Sequence, residues 1–295
     1  MNPSTLPDHR DHPSAAAPPL LDTEAACIGV FDSGVGGLSV LRELHRRLPA
    51  ASLLYVGDVA HAPYGVRSVA DVLQRSKCIV AHLIDQGAGL IVVACNTATV
   101  LTIGALRRQW PELTFVGVEP GVKPAAAASS ARRIAVLATP ATVRSARLQQ
   151  LIDLHAAPPV HVHLQACPGL ADAIERGALD GQELWDVLLP ACEAVRAAQV
   201  DTVVLGCTHY PFIAAQIARL LGPDVTLIDT AVAVAERVAS VWMDNRVGTC
   251  INTGASINAV VPTLRVQSTG SVLTMRRMLL ECPGFEALPV ESLSL

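Results

Sequence analysis

Short runs of apolar residues alternate along the chain with longer segments in which apolar residues recur every three or four positions. The short runs predict eight strands, at residues 27–31, 52–57, 90–95, 114–119, 133–138, 160–165, 202–207 and 225–229. Strands and helices that alternate in this order are typical of βα units, which build parallel sheets. The pattern therefore predicts an α/β fold with mainly parallel sheets.

Two of these strands end in the same way, with a cysteine that is followed at once by polar residues. Cys95 closes the run LIVVAC, and Cys207 closes the run TVVLGC. The helix predicted before each cysteine opens with capping-box spacing, at Ser68 in one case and at Asp180 in the other. Both caps stand 27 positions before their cysteine, from residue 68 to 95 and from 180 to 207. This agreement predicts an internal duplication.

We expect the duplication to divide the chain into two similar α/β domains related by pseudo-two-fold symmetry, and an active site, if there is one, to lie in the cleft between them. We expect residues 26–122 together with 231–295 to form the first domain, and residues 123–230 to form the second. The strand-like segment LRVQSTG near the end of the chain needs a sheet to join, which is why we assign it to the first domain. Residues 1–25 lack the unbroken apolar stretch of a signal peptide and are expected to be a disordered extension.

Composition and charge narrow the class of protein further. The 295 residues are 51% hydrophobic but only 3% aromatic, as expected for parallel strands buried on both faces by Ala, Val, Leu and Ile. The net charge is -4 and no basic run occurs, so we expect neither nucleic acid nor an anionic membrane as a primary partner. No stretch approaches the roughly 18 apolar residues of a membrane span. Eight cysteines within apolar segments indicate a reducing cytoplasm rather than a disulfide scaffold.

The two strand-end cysteines are candidates for chemistry. Ligands of α/β proteins bind at the carboxyl ends of strands. A helix N-terminus nearby favours a thiolate, and Asn96-Thr97 and Thr208-His209 supply residues that commonly cap helices. A structural cysteine is the alternative for either one alone, but a matched pair favours a functional role. No CxxC or HExxH spacing occurs, so we predict no metal site. The other six cysteines are interpreted as structural: Cys27, Cys78, Cys167, Cys192, Cys250 and Cys282.

A glycine-rich loop follows the first strand, in the sequence FDSGVGGLSVL. It is neither a Walker A loop nor a GxGxxG motif, because Ser39 stands where the last glycine would be. Its amides predict a pocket for a small anion with Asp32 and Ser33 at the edge, and a simple cap and turn is the alternative. A second loop, YVGDVAHAPYG, presents Tyr64 and Gly65 after a proline.

Four motifs in order, DSGVGGLSVL, GDVAHAPYG, ACNTAT and GCTHYPF, resemble the cofactor-independent aspartate/glutamate racemase superfamily and, within it, the glutamate racemases. The resemblance implies that Cys95 and Cys207 are the catalytic acid and base, with Asp32 and His209 as auxiliary groups. The segment ACPGLADAIERG is similar to the one that carries an auxiliary glutamate, here Glu175, although Ala171-Asp172-Ala173 departs from the expected Val-Pro version. The resemblance to the family also implies a set of substrate contacts: Asp32, Ser33, Tyr64, Gly65, Asn96, Thr97, Thr208 and His209.

The implied reaction interconverts L-glutamate and D-glutamate without a cofactor. Inversion of an α-carbon needs a proton acceptor on one face and a donor on the other, and cysteine, with a pKa of about 8.5, can serve as either. Lys77 and Lys123 are the only lysines and neither lies at a strand end, so no lysine is placed for pyridoxal phosphate. By the resemblance, Cys95 takes the proton from D-glutamate and Cys207 from L-glutamate. The product would supply peptidoglycan synthesis in the cytoplasm.

Several alternatives stay open at the level of sequence. The nearest is a racemase for aspartate or a related amino acid, and a single-thiol decarboxylase or isomerase is disfavoured by the two intact motifs. From other classes, the chain could be a catalytically silent module that binds a small anion, or a protein that binds a macromolecular partner. A homodimer is also left open.

Overall fold

A computed structural model describes residues 27–253 and 261–295, and the side chains of all of these except 245–253. The predicted disordered extension at residues 1–25 and the side chain of Cys250 lie outside the described part.

Two parallel sheets form the framework. The strands of the first sheet are β1 (Cys27–Asp32), β2 (Leu53–Gly57), β3 (Ala88–Val93), β4 (Thr114–Gly117), β9 (Leu264–Ser268) and β10 (Val290–Ser292). The strands of the second sheet are β5 (Arg133–Ala138), β6 (His161–Ala166), β7 (Thr202–Gly206) and β8 (Thr226–Ile228). Every strand pairing is parallel. The α/β class and all eight predicted strands are thus confirmed.

Helices connect the strands, as parallel pairing requires. They are α1 (Leu38–Arg47), α2 (Val69–Asp85), α3 (Asn96–Gln109), α4 (Val122–Ala128), α5 (Pro140–Val143), α6 (Ala146–His155), α7 (Leu170–Glu175), α8 (Gln182–Ala197), α9 (Ala214–Leu221), α10 (Ala231–Thr253) and α11 (Val272–Leu280). Short 3-10 helices cover Val59–His61, Tyr64–Val66 and Tyr210–Ile213. Among the described helices, none is both long and apolar enough to cross a membrane.

The two sheets repeat one strand order. The first contains β2-β1-β3-β4, with β9 and β10 added beyond β2, and the second is β6-β5-β7-β8. Each half therefore places its third strand beside its first, and Cys95 and Cys207 follow the two third strands, β3 and β7. The strand order supports the predicted duplication. The numerical boundaries of the two domains stay a prediction.

The helix caps support the duplication less well. Ser68 caps α2 as predicted, since its hydroxyl accepts a hydrogen bond from the amide of Asp71 at 3.1 Å. The cap predicted at Asp180 is wrong, because α8 begins at Gln182 and the residue before it is Gly181. Gly181 has φ 89°, a left-handed conformation that glycine adopts at little cost, while the Asp180 carboxylate accepts the Gly181 amide at 2.7 Å. The equal spacing of 27 residues therefore reflects no shared cap.

Elements late in the chain pack against elements of the first sheet and its first helix. Helix α1 buries Leu38, Leu41 and Leu44 on one face, and α10, which follows the second sheet, packs against α1. Burial of each leucine side chain contributes about 1.5–3 kcal/mol. Strands β9 and β10 then extend the first sheet beyond β2. This return of the chain brings residues near 269 next to the loops that follow β2.

Candidate active site

The first thiol lies at the start of helix α3. Cys95 is itself the N-cap, with a β-region backbone, and its sulfur accepts the Ala98 amide at 3.4 Å. The cap is therefore the cysteine and not Asn96 or Thr97, which are already part of the helix. The thiol donates to the Ser33 hydroxyl at 3.6 Å, and that hydroxyl donates to Asp32 Oδ1 at 3.4 Å. A chain of hydrogen bonds thus connects this sulfur to a carboxyl group.

Charge and burial both favour the protonated form of Cys95. Burial raises the pKa of this thiol well above 9.0, the neighbouring charge of Asp32 raises it further, and the hydrogen bonds that the sulfur makes with the Ala98 amide and the Ser33 hydroxyl oppose the shift. Burial also raises the pKa of Asp32, against the opposing charge of His209. In this closed arrangement Cys95 is suited to donate a proton.

The second thiol has the opposite surroundings. Cys207 Sγ lies 3.6 Å from His209 Nδ1, and His209 Nε2 lies 2.7 Å from Glu175 Oε2. Burial alone would lower the pKa of His209, but its interactions with Cys207 and Glu175 prevail and raise that pKa well above 6.5. A positively charged imidazole next to a sulfur stabilises the thiolate. The expected α-helix N-terminus is not adjacent, since Cys207 leads into a 3-10 turn and α9 begins only at Ala214.

Residues from both sheets enclose one cavity between the two thiols. Nine predicted site residues line it: Ser33, Tyr64, Gly65, Cys95, Asn96, Thr97, Cys207, Thr208 and His209. Asp32 and Glu175 lie directly behind this lining, in contact with Ser33 and His209 respectively. The enclosed space, about 10 Å³, is that of roughly one water molecule. An amino acid therefore requires the walls to move apart before it can enter.

Three lining residues were not predicted, namely Pro63, Thr139 and Ala171. Thr139 follows β5, and its hydroxyl lies 2.9 Å from that of Thr97 and 3.1 Å from that of Thr142. These contacts connect polar residues that follow strands of different sheets. A usable signal existed, because Thr139 is a polar residue at a strand end, the same feature that drew attention to the cysteines.

The glycine-rich loop does not form the open anion pocket that the sequence predicted. The Val35 amide donates to Glu175 Oε2 at 3.1 Å, and the Gly37 amide donates to Asp32 Oδ2 at 2.8 Å. These two amides thus hold carboxylates of the protein itself. A Cβ on Gly34 would overlap the Glu175 carboxylate, and one on Gly36 would overlap the His209 ring. The glycines are needed here because the two halves approach so closely.

The described residues contain no group of three or more His, Cys, Asp or Glu side chains placed to hold a metal ion. The seven cysteines with described side chains are all free thiols.

The family model described as Asp/Glu/Hydantoin racemase matches residues 28–238. A glutamate racemase from Pseudomonas paraeruginosa (strain DSM 24068 / PA7) is 47% identical over 218 residues, which cover 74% of this chain and 82% of that protein.

Solved structures agree with this match. The crystal structure of glutamate racemase isoform RacE1 from Bacillus anthracis superposes with a TM-score of 0.78 at 32% identity, covering 92% of this chain and 98% of that one. The glutamate racemase of Francisella tularensis, solved in complex with D-glutamate, has a TM-score of 0.77 at 27% identity, with coverage of 92% and 98%.

The two parallel sheets share one strand order, and a buried thiol follows the third strand of each sheet and faces a shared cavity. These features define a two-domain α/β protein with a paired-cysteine site. The sequence matches and the structural matches agree on one family. The chain belongs to the Asp/Glu/hydantoin racemase family.

Proposed function

We propose that this chain interconverts L-glutamate and D-glutamate without a cofactor, with Cys95 and Cys207 as the acid and base. The observation that carries the proposal is the pair of thiols, which come from different sheets, face one cavity and have opposite electrostatic surroundings. The relatives support glutamate as the substrate, because they are named glutamate racemases and one was solved with D-glutamate bound.

In the direction from L- to D-glutamate, the Cys207 thiolate takes the α-proton and the Cys95 thiol delivers its own proton to the opposite face. The substrate therefore gains and loses one proton, and the reverse direction exchanges the two roles. His209 and Glu175 stabilise the thiolate of Cys207, while Asp32 acts on Cys95 through Ser33. The charge that develops on the substrate is stabilised by hydrogen-bond donors in a site that excludes water.

The remaining polar residues of the cavity are proposed to hold the substrate. Asn96 Oδ1 is buried without a hydrogen-bond partner in the described part of the chain, while its Nδ2 donates to the Val118 carbonyl at 3.4 Å. A buried acceptor without a partner is costly, so it suits the ammonium group of an amino acid. The other proposed substrate contacts are Ser33, Thr97, Thr208 and Gly65, and Tyr64 contributes to the wall of the cavity.

The proposal extends to cellular role and assembly. We assign the reaction to the cytoplasm, where D-glutamate would supply peptidoglycan synthesis. In the proposed domain division, one domain comprises residues 26–122 and 231–295, and the other comprises residues 123–230. The cleft between them must open for substrate to enter. The proposed assembly is a homodimer.

The test is a racemisation assay on the purified full chain, with no added cofactor or metal. Optical rotation of either glutamate enantiomer should decay to zero, and deuterium from heavy water should enter the α-position. Activity should survive dialysis against a chelator, and aspartate should turn over far more slowly. Unchanged rotation of both glutamate enantiomers would remove the proposal, and faster turnover of aspartate would change the substrate.

A further inference from the structure

A buried carboxylate lies outside the cavity, at the start of a loop that forms one of its walls. Asp58 follows β2, is fully buried, and does not line the cavity. It begins the loop that contains two 3-10 turns, Val59–His61 and Tyr64–Val66, and presents Pro63, Tyr64 and Gly65 to the site.

Asp58 accepts hydrogen bonds from three side chains and contacts a fourth, the His61 ring. Oδ2 accepts from the Tyr64 hydroxyl at 2.6 Å and from Arg75 Nε at 3.0 Å. Oδ1 accepts from Arg75 Nη2 at 2.9 Å and from the Thr269 hydroxyl at 2.7 Å, and lies 3.1 Å from His61 Nδ1. Burial alone would raise the pKa of Asp58, but the bonds from Arg75, Tyr64 and Thr269 outweigh it and lower that pKa. The carboxylate is therefore anionic, with its lone pairs directed to protein donors.

These contacts restrict what Tyr64 can do. Burial and the charge of Asp58 raise the pKa of the phenol, so it is neutral. Its single proton is donated to Asp58. The phenol therefore has no proton left for a substrate carboxylate.

The anchors of Asp58 come from distant parts of the chain. Arg75 lies on α2, and Thr269 follows β9. Thr269 also accepts the Ala60 amide at 3.3 Å, and a Cβ on Gly270 would lie 2.6 Å from the Ala60 nitrogen. The residues that follow β9 are thus packed directly on the loop that follows β2.

The other end of the loop touches the second sheet's side of the cavity. A Cβ on Gly65 would lie 3.1 Å from Thr139 Cβ, which is tight contact. A small displacement of Tyr64 and Gly65 would therefore alter the width of the cavity at Thr139.

We propose that Asp58 is a positioning residue, which uses Arg75 and Thr269 as anchors to hold Tyr64 and Gly65 where the substrate needs them. Tyr64 then donates to the protein and shapes the wall. This inference rests on the proposed function for its kinetic readout. Loss of the Asp58–Tyr64 bond, a hydrogen bond to a charged group, should raise KM by on the order of 10-fold. The value of kcat should change by less than about 3-fold, because both thiols remain.

The experiment compares the full-length variants Asp58→Asn, Tyr64→Phe and the double variant in the racemisation assay. Both single variants should raise KM, and the double variant should be no worse than Asp58→Asn, because both changes break the same connection. Thr269→Val should raise KM, and Thr269→Ser, which keeps the hydroxyl, should restore it. Asp201→Asn is a matched control, since Asp201 accepts several hydrogen bonds far from the site, from Ser129, Ser130 and the Ala131 amide among others. It should lower Tm without altering KM.

Hydrogen exchange provides a readout that does not need turnover. The His61 amide donates to the Asp58 carbonyl at 2.8 Å and the Arg67 amide to the Tyr64 carbonyl at 3.1 Å, so both report on the order of the loop. Asp58→Asn and Tyr64→Phe should speed exchange at these two amides and leave β7 unchanged. A wild-type chain inactive on glutamate would refute the proposed function, and exchange would still decide this inference. Unchanged exchange, an unchanged KM in an active enzyme, or additive effects in the double variant would overturn it.

Discussion

Replacement of Glu175 by glutamine should damage one half of the reaction selectively. Glu175→Gln keeps the shape of the side chain but removes the negative charge that accepts His209 Nε2 at 2.7 Å. A hydrogen bond to a charged group contributes about 1.5–3 kcal/mol. If that stabilisation is lost when Cys207 acts as the base, proton abstraction by Cys207 should slow by about 10- to 100-fold. Abstraction by Cys95, which depends on Ser33 and Asp32, should change by less than about 3-fold.

Racemisation itself cannot reveal this asymmetry. The two enantiomers have equal free energy, so kcat/KM must fall by one factor in both directions. Elimination from 3-chloroglutamate separates the two steps. The thiolate takes the α-proton, the C–H electron pair forms the double bond as chloride leaves, and the resulting enamine tautomerises and hydrolyses to 2-oxoglutarate and ammonium. One base is enough for this reaction.

The assay measures release of 2-oxoglutarate from the L- and D-configured analogues. Glu175→Gln should lose activity on the L-configured analogue, the substrate assigned to Cys207, and keep it on the D-configured one. Asp172→Asn is the matched control, because Asp172 lies on the same helix, has a partly exposed side chain and pairs with Arg176. It should leave both rates unchanged. Equal losses on the two analogues would refute the assignment of Glu175 to Cys207, as would no loss on either.

Cys95→Ser should retain elimination from the L-configured analogue and lose it from the D-configured one, and Cys207→Ser should do the reverse. If each variant lost elimination from both analogues, the two-base assignment would be contradicted. Gly34→Ala should reduce kcat/KM by on the order of 10-fold because the new Cβ overlaps Glu175. Gly104→Ala on α3 is its control, because a Cβ there meets only Arg108 Nη1 at 3.6 Å, and it should leave activity unchanged and raise stability by about 0.5–1 kcal/mol. Burial would raise the pKa of Asp201, but hydrogen bonds from the Ala131 amide and three hydroxyls together outweigh it and lower that pKa to about 2. Its stabilisation is therefore fully present above its ordinary value of 3.8, and the Tm difference between wild type and Asp201→Asn should shrink as pH falls from about 4 toward 2.

The strands and the thiols could be predicted from sequence because both depend on short-range pattern. A strand buried on both faces must be apolar along its length, so β1, β3, β5 and β7 are visible as runs of Val, Ile, Leu and Ala. The chain must become polar where such a strand ends at a ligand site, and that change identified Cys95 and Cys207.

Local pattern failed where backbone conformation or long-range contact decided the outcome. Asp180 has the spacing of a cap, yet α8 begins only at Gln182, and the residue before it is Gly181, which has a positive φ. The amides of the glycine-rich loop were expected to bind a free anion, but two of them bind Glu175 and Asp32. The Glu175 carboxylate reaches the Val35 amide across 140 positions of sequence, a distance over which no periodic pattern carries information.

The amino-acid sequence by itself thus determined the βα order, the parallel sheets and the identity of the two thiols, because each follows from the burial requirement of a single element. Only the tertiary structure decided the surroundings of those thiols. It placed His209 and Glu175 behind one sulfur and Ser33 and Asp32 behind the other. It also brought Thr269 to Asp58 from 211 positions away. The physical reason is that the charge state of a buried group depends on every residue packed around it, and those neighbours come together only when the sheets dock and the end of the chain returns.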